Sequence, residues 1–192
     1  MLAMSDHAIV LVIMVGVFLV LTVQLYALAR LYRRSSQGQA LIRSGVGGPR
    51  VSFTGLLCLP ICHTVETIDI TMKRLNASFR DEQSLTTKDG IQVEVVAAFL
   101  IRIERSPQDV LKVADTIGAA KAGDLEELAK LFQSRFADSL SASVRETTFE
   151  DLDRKREAFR ADVIQRIGSD LYGYSLEDVA LDHFGKRDWT AD

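Results

Sequence analysis

Residues 8–29 read AIVLVIMVGVFLVLTVQLYALA, 22 consecutive positions without a charged side chain and with only Thr22 and Gln24 clearly polar. As an α-helix rising about 1.5 Å per residue, such a stretch reaches roughly 33 Å, enough to cross a hydrocarbon core about 30 Å thick. Inside lipid the backbone must satisfy its own hydrogen bonds, and a single segment does so only as a helix. A core helix of a soluble domain is also apolar, but rarely uncharged for this long. The stretch predicts a membrane span, and the remaining chain becomes a passenger held at a membrane surface.

The flanks predict which surface. Asp6 is the one charged side chain ahead of the span, whereas Arg30, Arg33, Arg34, Arg43 and Arg50 come after it with no acidic residue before Val51. The positive-inside bias places the N-terminus outside and everything after Ala29 in the cytoplasm. Tyr26 and Tyr32 fall where interfacial aromatics sit. Together with Arg30, Arg33 and Arg34, which would face anionic lipid headgroups, they form the predicted membrane-interface set. A cleaved signal peptide is the rival reading, because Ala27-Leu28-Ala29 matches a small-x-small cleavage pattern. Against it stand an N-terminal region without Lys or Arg, an apolar run that is too long, and arginines that oppose translocation.

The chain beyond the span is long enough for one domain with a core of its own. From Val51 onward it carries 18 Lys+Arg (23 less the five arginines) against 25 Asp+Glu (26 less Asp6). An acidic domain under a basic collar argues against nucleic acid, which wants basic charge on the domain itself. No GxSxG, Walker-type or HExxH pattern occurs, and no carboxylate pair has a spacing that marks it for acid/base work. No catalytic residue, cofactor or metal site is therefore predicted. Cys58, Cys62 and His63 form C-x3-C-H without a second Cys/His pair. The bland expectation is a pair of buried thiols around Pro60. S-acylation near the membrane and a metal or redox site are the sharper alternatives.

In chain order, residues 33–39 read as a polar hinge and 40–43 as a brief strand. Gly45–Arg50 is turn chemistry, 51–54 opens another strand, and 56–61 is an edge or bulge around Pro60. Residues 64–72 alternate as a half-buried strand, and Leu75, Ala77 and Phe79 continue the pattern. After the Asp89-Gly90 turn, Ile91, Val93, Val95, Ala97, Phe99, Ile101 and Ile103 form one apolar face of a long strand, the spine of the domain. Its other face is apolar at Val96, Ala98 and Leu100, which predicts cover on both sides near the centre. Ser106-Pro107 then starts a helix to about Ile117. Asp124-x-x-Glu127 begins a second, with Leu128, Phe132, Phe136, Leu140 and Val144 down one stripe. Thr148-x-x-Asp151 begins a third, carrying Phe159, Val163, Ile167 and Leu171 and ending at Gly173. Residues 175–184 read as a closing strand. Strands first, helices next and one last strand make an α+β domain.

That order of parts resembles the SPFH family (band 7, or prohibitin-homology), in particular bacterial flotillin-like inner-membrane proteins. The residues that carry the resemblance are QALIRSGVGG at 39–48, the Thr87-Lys88-Asp89-Gly90 turn and the strand ending Ile101-Arg102-Ile103. Further along come TFEDL at 148–152, Gly173 and SLEDVALDHF at 175–184. The resemblance covers 32–184 and divides the chain into an outer tail (1–7), a span (8–29), a basic linker (30–38), an SPFH domain (39–184) and a C-terminal tail (185–192). It implies a non-enzymatic scaffold at the bacterial inner membrane that organises microdomains as a homo-oligomer. It also implies regulation of membrane proteases, or pairing with an NfeD-type membrane protein. Flotillin-like members continue into a long Ala/Glu-rich coiled coil, and no heptad run comes after Phe184 here. The expectation set beside the scaffold is therefore a monomeric, membrane-tethered adaptor, or a non-assembling truncated member.

Overall fold

The long strand expected after Asp89-Gly90 is present as β8 (Gln92–Ile103), and the rest of the domain is assembled on it. The computed structural model describes residues 6–80, 84–168 and 171–186. Most of the outer tail and the last six residues lie outside them. Val93, Val95, Ala97, Phe99, Ile101 and Ile103 are all buried, and on the opposite face Ala98 is buried while Val96 and Leu100 are half-buried. Cover on both sides near the centre is thus observed.

Both edges of β8 are paired. Antiparallel β9 (Tyr174–Lys186) runs along one edge from Val93 to Ile103, with register shifts at Val96/Ala97 and Leu100/Ile101. Antiparallel β6 (Lys73–Phe79) and the short β7 (Leu85–Thr86) share the other edge. Gly185 and Lys186, expected to lie in a tail, extend β9 instead.

Helices cover the Phe99 face. The α2 helix (Pro107–Thr116) begins after Ser106 with proline in its first turn. The α3 helix (Leu125–Glu146) is capped by Asp124, whose carboxylate accepts from the Glu126 amide at 2.9 Å. Only half of the expected capping box forms, because Glu127 pairs with Lys121 and Lys130 instead. The stripe Leu128, Phe132, Phe136, Leu140 and Val144 is wholly buried, and Phe136 stacks on Phe99 with centroids 4.1 Å apart. The predicted third helix is two: α4 (Phe149–Arg154), capped by Thr148, and α5 (Arg156–Ile167), broken apart at Lys155. Helix α5 stops at Gly168, where φ is +75°, five residues before the expected end. Leu171 is therefore buried outside the helix, bridged to Tyr174.

A second, smaller sheet precedes this one. Its centre is β2 (Gln39–Gly45), flanked by β3 (Arg50–Ser52) and β5 (His63–Asp69), all antiparallel. Ala40, Ile42 and Ile68 bind it to the common core. At the joint between the sheets, Asp69 accepts from the Thr71 amide (2.9 Å) and hydroxyl (2.7 Å) and pairs with Lys73 at the start of β6. Partial burial pushes this carboxyl up, but the hydrogen bonds from Lys73 and Thr71 outweigh it and hold it below the usual range. The buried Tyr174 phenol donates to the Ala122 carbonyl at 2.7 Å, and burial, reinforced by the Asp69 charge, keeps it protonated.

Because Phe99 is fully enclosed and stacked, Phe99→Ala should cost about 3–5 kcal/mol of stability. The check is the urea midpoint of the detergent-solubilised chain measured by circular dichroism. A midpoint equal to wild type would mean that the stack contributes nothing to holding the core.

Candidate membrane interface

The first element is α1 (Asp6–Leu31), and it touches almost nothing of the domain. Every side chain from Ile9 to Arg30 is exposed, so this is no core helix. A helix apolar on all faces and buried by no protein needs an apolar solvent. Residues Ile9–Leu31 are long and apolar enough to cross a membrane. Thr22 suits the same surroundings, because its hydroxyl lies within hydrogen-bond distance of two carbonyls of the preceding turn, Phe18 (2.8 Å) and Leu19 (2.9 Å).

At the exit, the Arg30 guanidinium lies over the Tyr26 ring, 5.7 Å from its centroid. The chain then passes directly from Leu31 into β1 (Tyr32–Arg34), which pairs antiparallel with β4 (Gly55–Leu57). The expected hinge thus begins as a strand. The reason lies about 20 residues away in sequence, where the edge segment expected at 56–61 supplies the partner strand. Strand alternation sends Arg33 to one face of β1, and Tyr32 and Arg34 to the other. Of the predicted interface set, the fold joins Tyr26 with Arg30 and separates Arg33 from Arg34. Among the described residues none of Arg30, Arg33, Arg34, Arg43 and Arg50 forms an ion pair.

The junction is tight. The Cys58 amide donates to the Leu31 carbonyl at 2.9 Å, closing the gap between helix end and β4. A Cβ added at Gly55 would lie 2.6 Å from the Tyr32 hydroxyl and 2.8 Å from the Arg33 carbonyl, so only glycine lets the strands approach this closely.

Beyond β4 the chain makes a turn at 58–62, with the Cys62 and His63 amides donating to the Leu59 carbonyl at 3.0 and 2.9 Å. This corrects the buried-thiol reading: Cys58 is half-buried and Cys62 exposed, because the turn projects from the domain instead of folding into it. His63 braces the turn. Its Nδ1 accepts from the Leu59 amide at 3.4 Å, leaving Nε2–H to donate to the Val46 carbonyl at 3.2 Å. Among the described residues no three His, Cys, Asp or Glu side chains converge as metal ligands. The neighbouring turn, Gly45 to Pro49, is tied on by the Val46 amide, which donates to the Cys62 carbonyl at 3.4 Å.

An exposed apolar helix thus enters an α+β domain through a basic junction, and the described residues form three sheets: β1–β4, β3–β2–β5 and the four-stranded sheet built on β8. Residues 18–184 match the model of the SPFH domain / Band 7 family, a match that starts inside α1 and ends within β9. The chain belongs to this family. It is 35% identical over 161 residues to "Flotillin family inner membrane protein YqiK" of Escherichia coli, covering 82% of this chain and 29% of that protein. To "Flotillin family inner membrane protein sll1021" of Synechocystis it is 19% identical over 185 residues, covering 92% of this chain and 27% of that protein. The chain thus spans less than a third of the length of either relative. It is a membrane-associated, flotillin-like SPFH protein.

If the Gly55 contact holds span and domain in one body, Gly55→Val should part β1 from β4 and open residues 32–35 to protease. Limited proteolysis of the membrane-inserted chain reads this directly, with Gly16→Val, where the backbone is helical and an added Cβ meets nothing within 4 Å, as the control.

Proposed function

We propose that this SPFH protein is a non-enzymatic scaffold of the flotillin type: a single-pass protein that organises membrane microdomains and their proteins as a homo-oligomer. The observation that carries the reading is α1 itself, exposed along its whole apolar length and continuous with the domain, so the span can report the domain's position to the bilayer. In this reading the N-terminus lies outside and the domain in the cytoplasm, at a bacterial inner membrane like that in the names of both relatives. Arg30, Arg33 and Arg34 hold anionic headgroups on both sides of the exit strand. The acidic domains pack laterally beneath the headgroup layer. The proteins organised this way would be membrane proteases or an NfeD-type partner.

Mild-detergent extraction and light scattering with the detergent subtracted test the assembly. A large discrete particle is expected. A monomer would leave the tethered adaptor as the better account. Orientation has a separate test: Arg30→Glu, Arg33→Glu and Arg34→Glu together should invert or abolish insertion in a reporter-fusion assay. A triple variant with wild-type topology would deny the arginines that role.

A further inference from the structure

Cys58 and Cys62 are the only cysteines in the 192 residues, and the fold puts both in one turn. Cysteine packs well in apolar interiors, yet Cys58 is half-buried and Cys62 exposed. For a free thiol outside the core, reactivity is a better account than packing. The turn itself is set in advance. Pro60 is second in the turn 59–62, which the Cys62 amide closes by donating to the Leu59 carbonyl at 3.0 Å. A proline at that position has its φ fixed before the chain folds, so holding the turn costs little entropy.

The sulfur of Cys58 reaches across this turn. Its Sγ–H donates weakly to the His63 carbonyl at 3.7 Å, one residue beyond Cys62. The two sides of the turn are clasped twice more, by the His63 amide on the Leu59 carbonyl at 2.9 Å and the Leu59 amide on His63 Nδ1 at 3.4 Å. The cysteines are also the turn's two anchors. The Cys58 amide holds the Leu31 carbonyl at the end of α1, and the Cys62 carbonyl accepts from the Val46 amide in the 45–49 turn. A bond between their sulfurs would join those two attachments covalently.

We propose that Cys58 and Cys62 form a reversible disulfide, which makes the 58–62 turn a switch set by hydrogen peroxide and reset by a low-molecular-weight thiol. This goes beyond the scaffold reading and needs no assembly. It takes from that reading only the cytoplasmic placement, where the thiol pool keeps the resting form reduced. Cys62, the exposed partner, reacts first. Its sulfur attacks one peroxide oxygen, the O–O bond breaks, and the displaced hydroxide leaves as water with the thiol proton. The Cys58 sulfur then attacks the sulfenic sulfur of Cys62. The S–S bond forms, the S–O bond breaks, and the hydroxide takes the Cys58 proton as a second water. Each sulfur has lost one electron, and the peroxide has been reduced to two waters. In the reset, one small thiol opens the bond to a mixed disulfide and a second releases it as the small disulfide. A short, exposed ring of this kind belongs to the labile class of disulfides.

The test uses the full chain in mild detergent, reduced, freed of reductant and exposed to equimolar hydrogen peroxide. Maleimide labelling and mass spectrometry should show both thiols lost together, a link within one chain, and recovery of both thiols with glutathione. Cys58→Ser should stop at a sulfenic acid on Cys62 that dimedone traps, whereas Cys62→Ser should leave Cys58 open to maleimide after the same exposure. Thiols still labelled after peroxide would overturn the switch. So would a link between two chains, or a dimedone adduct that accumulates while both cysteines are present. The reporter-fusion assay reads orientation separately, so a misplaced domain and a disulfide that does not form give different results.

Discussion

A backbone hydrogen bond from the Cys58 amide to the Leu31 carbonyl, 2.9 Å long, closes the junction between the apolar helix and the domain. Leu31 is the last residue of a helix that only lipid can solvate, and Cys58 comes directly after the strand that pairs with the helix's continuation. That bond, the β1–β4 pairing and Gly55, which admits the backbone of β1 closely, together tie the end of the helix to the strands. Backbone groups at a helix end need partners in any case, and here the partner is supplied by the domain instead of by water. The chain therefore passes from lipid to folded protein without a linker, which distinguishes it from a domain on a flexible tether.

In the rest of the domain β8 is paired on both edges and packed against α3, with α5 lying against β9. Phe99 of β8 stacks on Phe136, Phe136 on Phe132, and Phe132 meets the edge of Tyr174, so one aromatic chain runs from the sheet through α3 to the start of β9. Tyr174 in turn holds the Ala122 carbonyl beside the small sheet. The Asp69–Lys73 pair joins the small sheet to the large one at the start of β6.

The large sheet is legible from residues alone, because period-two burial along 91–103 and period-3.6 burial along α3 arise from one-sided cover that the pattern records. The membrane side is legible only in part. Polar residues 33–39 carry no strand signal, since β1 is formed by a partner about 20 residues downstream. The run Leu56-Leu57-Cys58-Leu59-Pro60-Ile61 has the composition of a buried segment, and hydrophobicity does not say whether protein or lipid will bury it. Cys62 is misplaced by sequence reasoning on the same ground. The break at Lys155 has no mark in its neighbours. The stop at Gly168 does have one, but the apolar spacing that continues to Leu171 points past it to Gly173. The arginines past the span are identifiable by charge, but the division of Arg33 and Arg34 between two faces of β1 comes from alternation once the strand is known.

Charge is segregated along the chain, basic from 30 to 50 and acidic in balance beyond. A soluble domain would gain by placing some of its 25 later carboxylates near the five arginines at 30–50, yet none of those arginines forms an ion pair among the described residues. The carboxylates pair with cations on the domain's own surface instead, as Asp162 and Glu146 do with Arg166, and Asp182 with Arg74. Unpaired guanidinium groups in water gain little from one another and repel at short range. Next to a negatively charged leaflet the same groups gain about 1 kcal/mol each, and a neighbouring carboxylate would cancel that gain. Segregation of the two signs supports the proposal that a bilayer lies on one side of the molecule, and it begins at the first residue past the span.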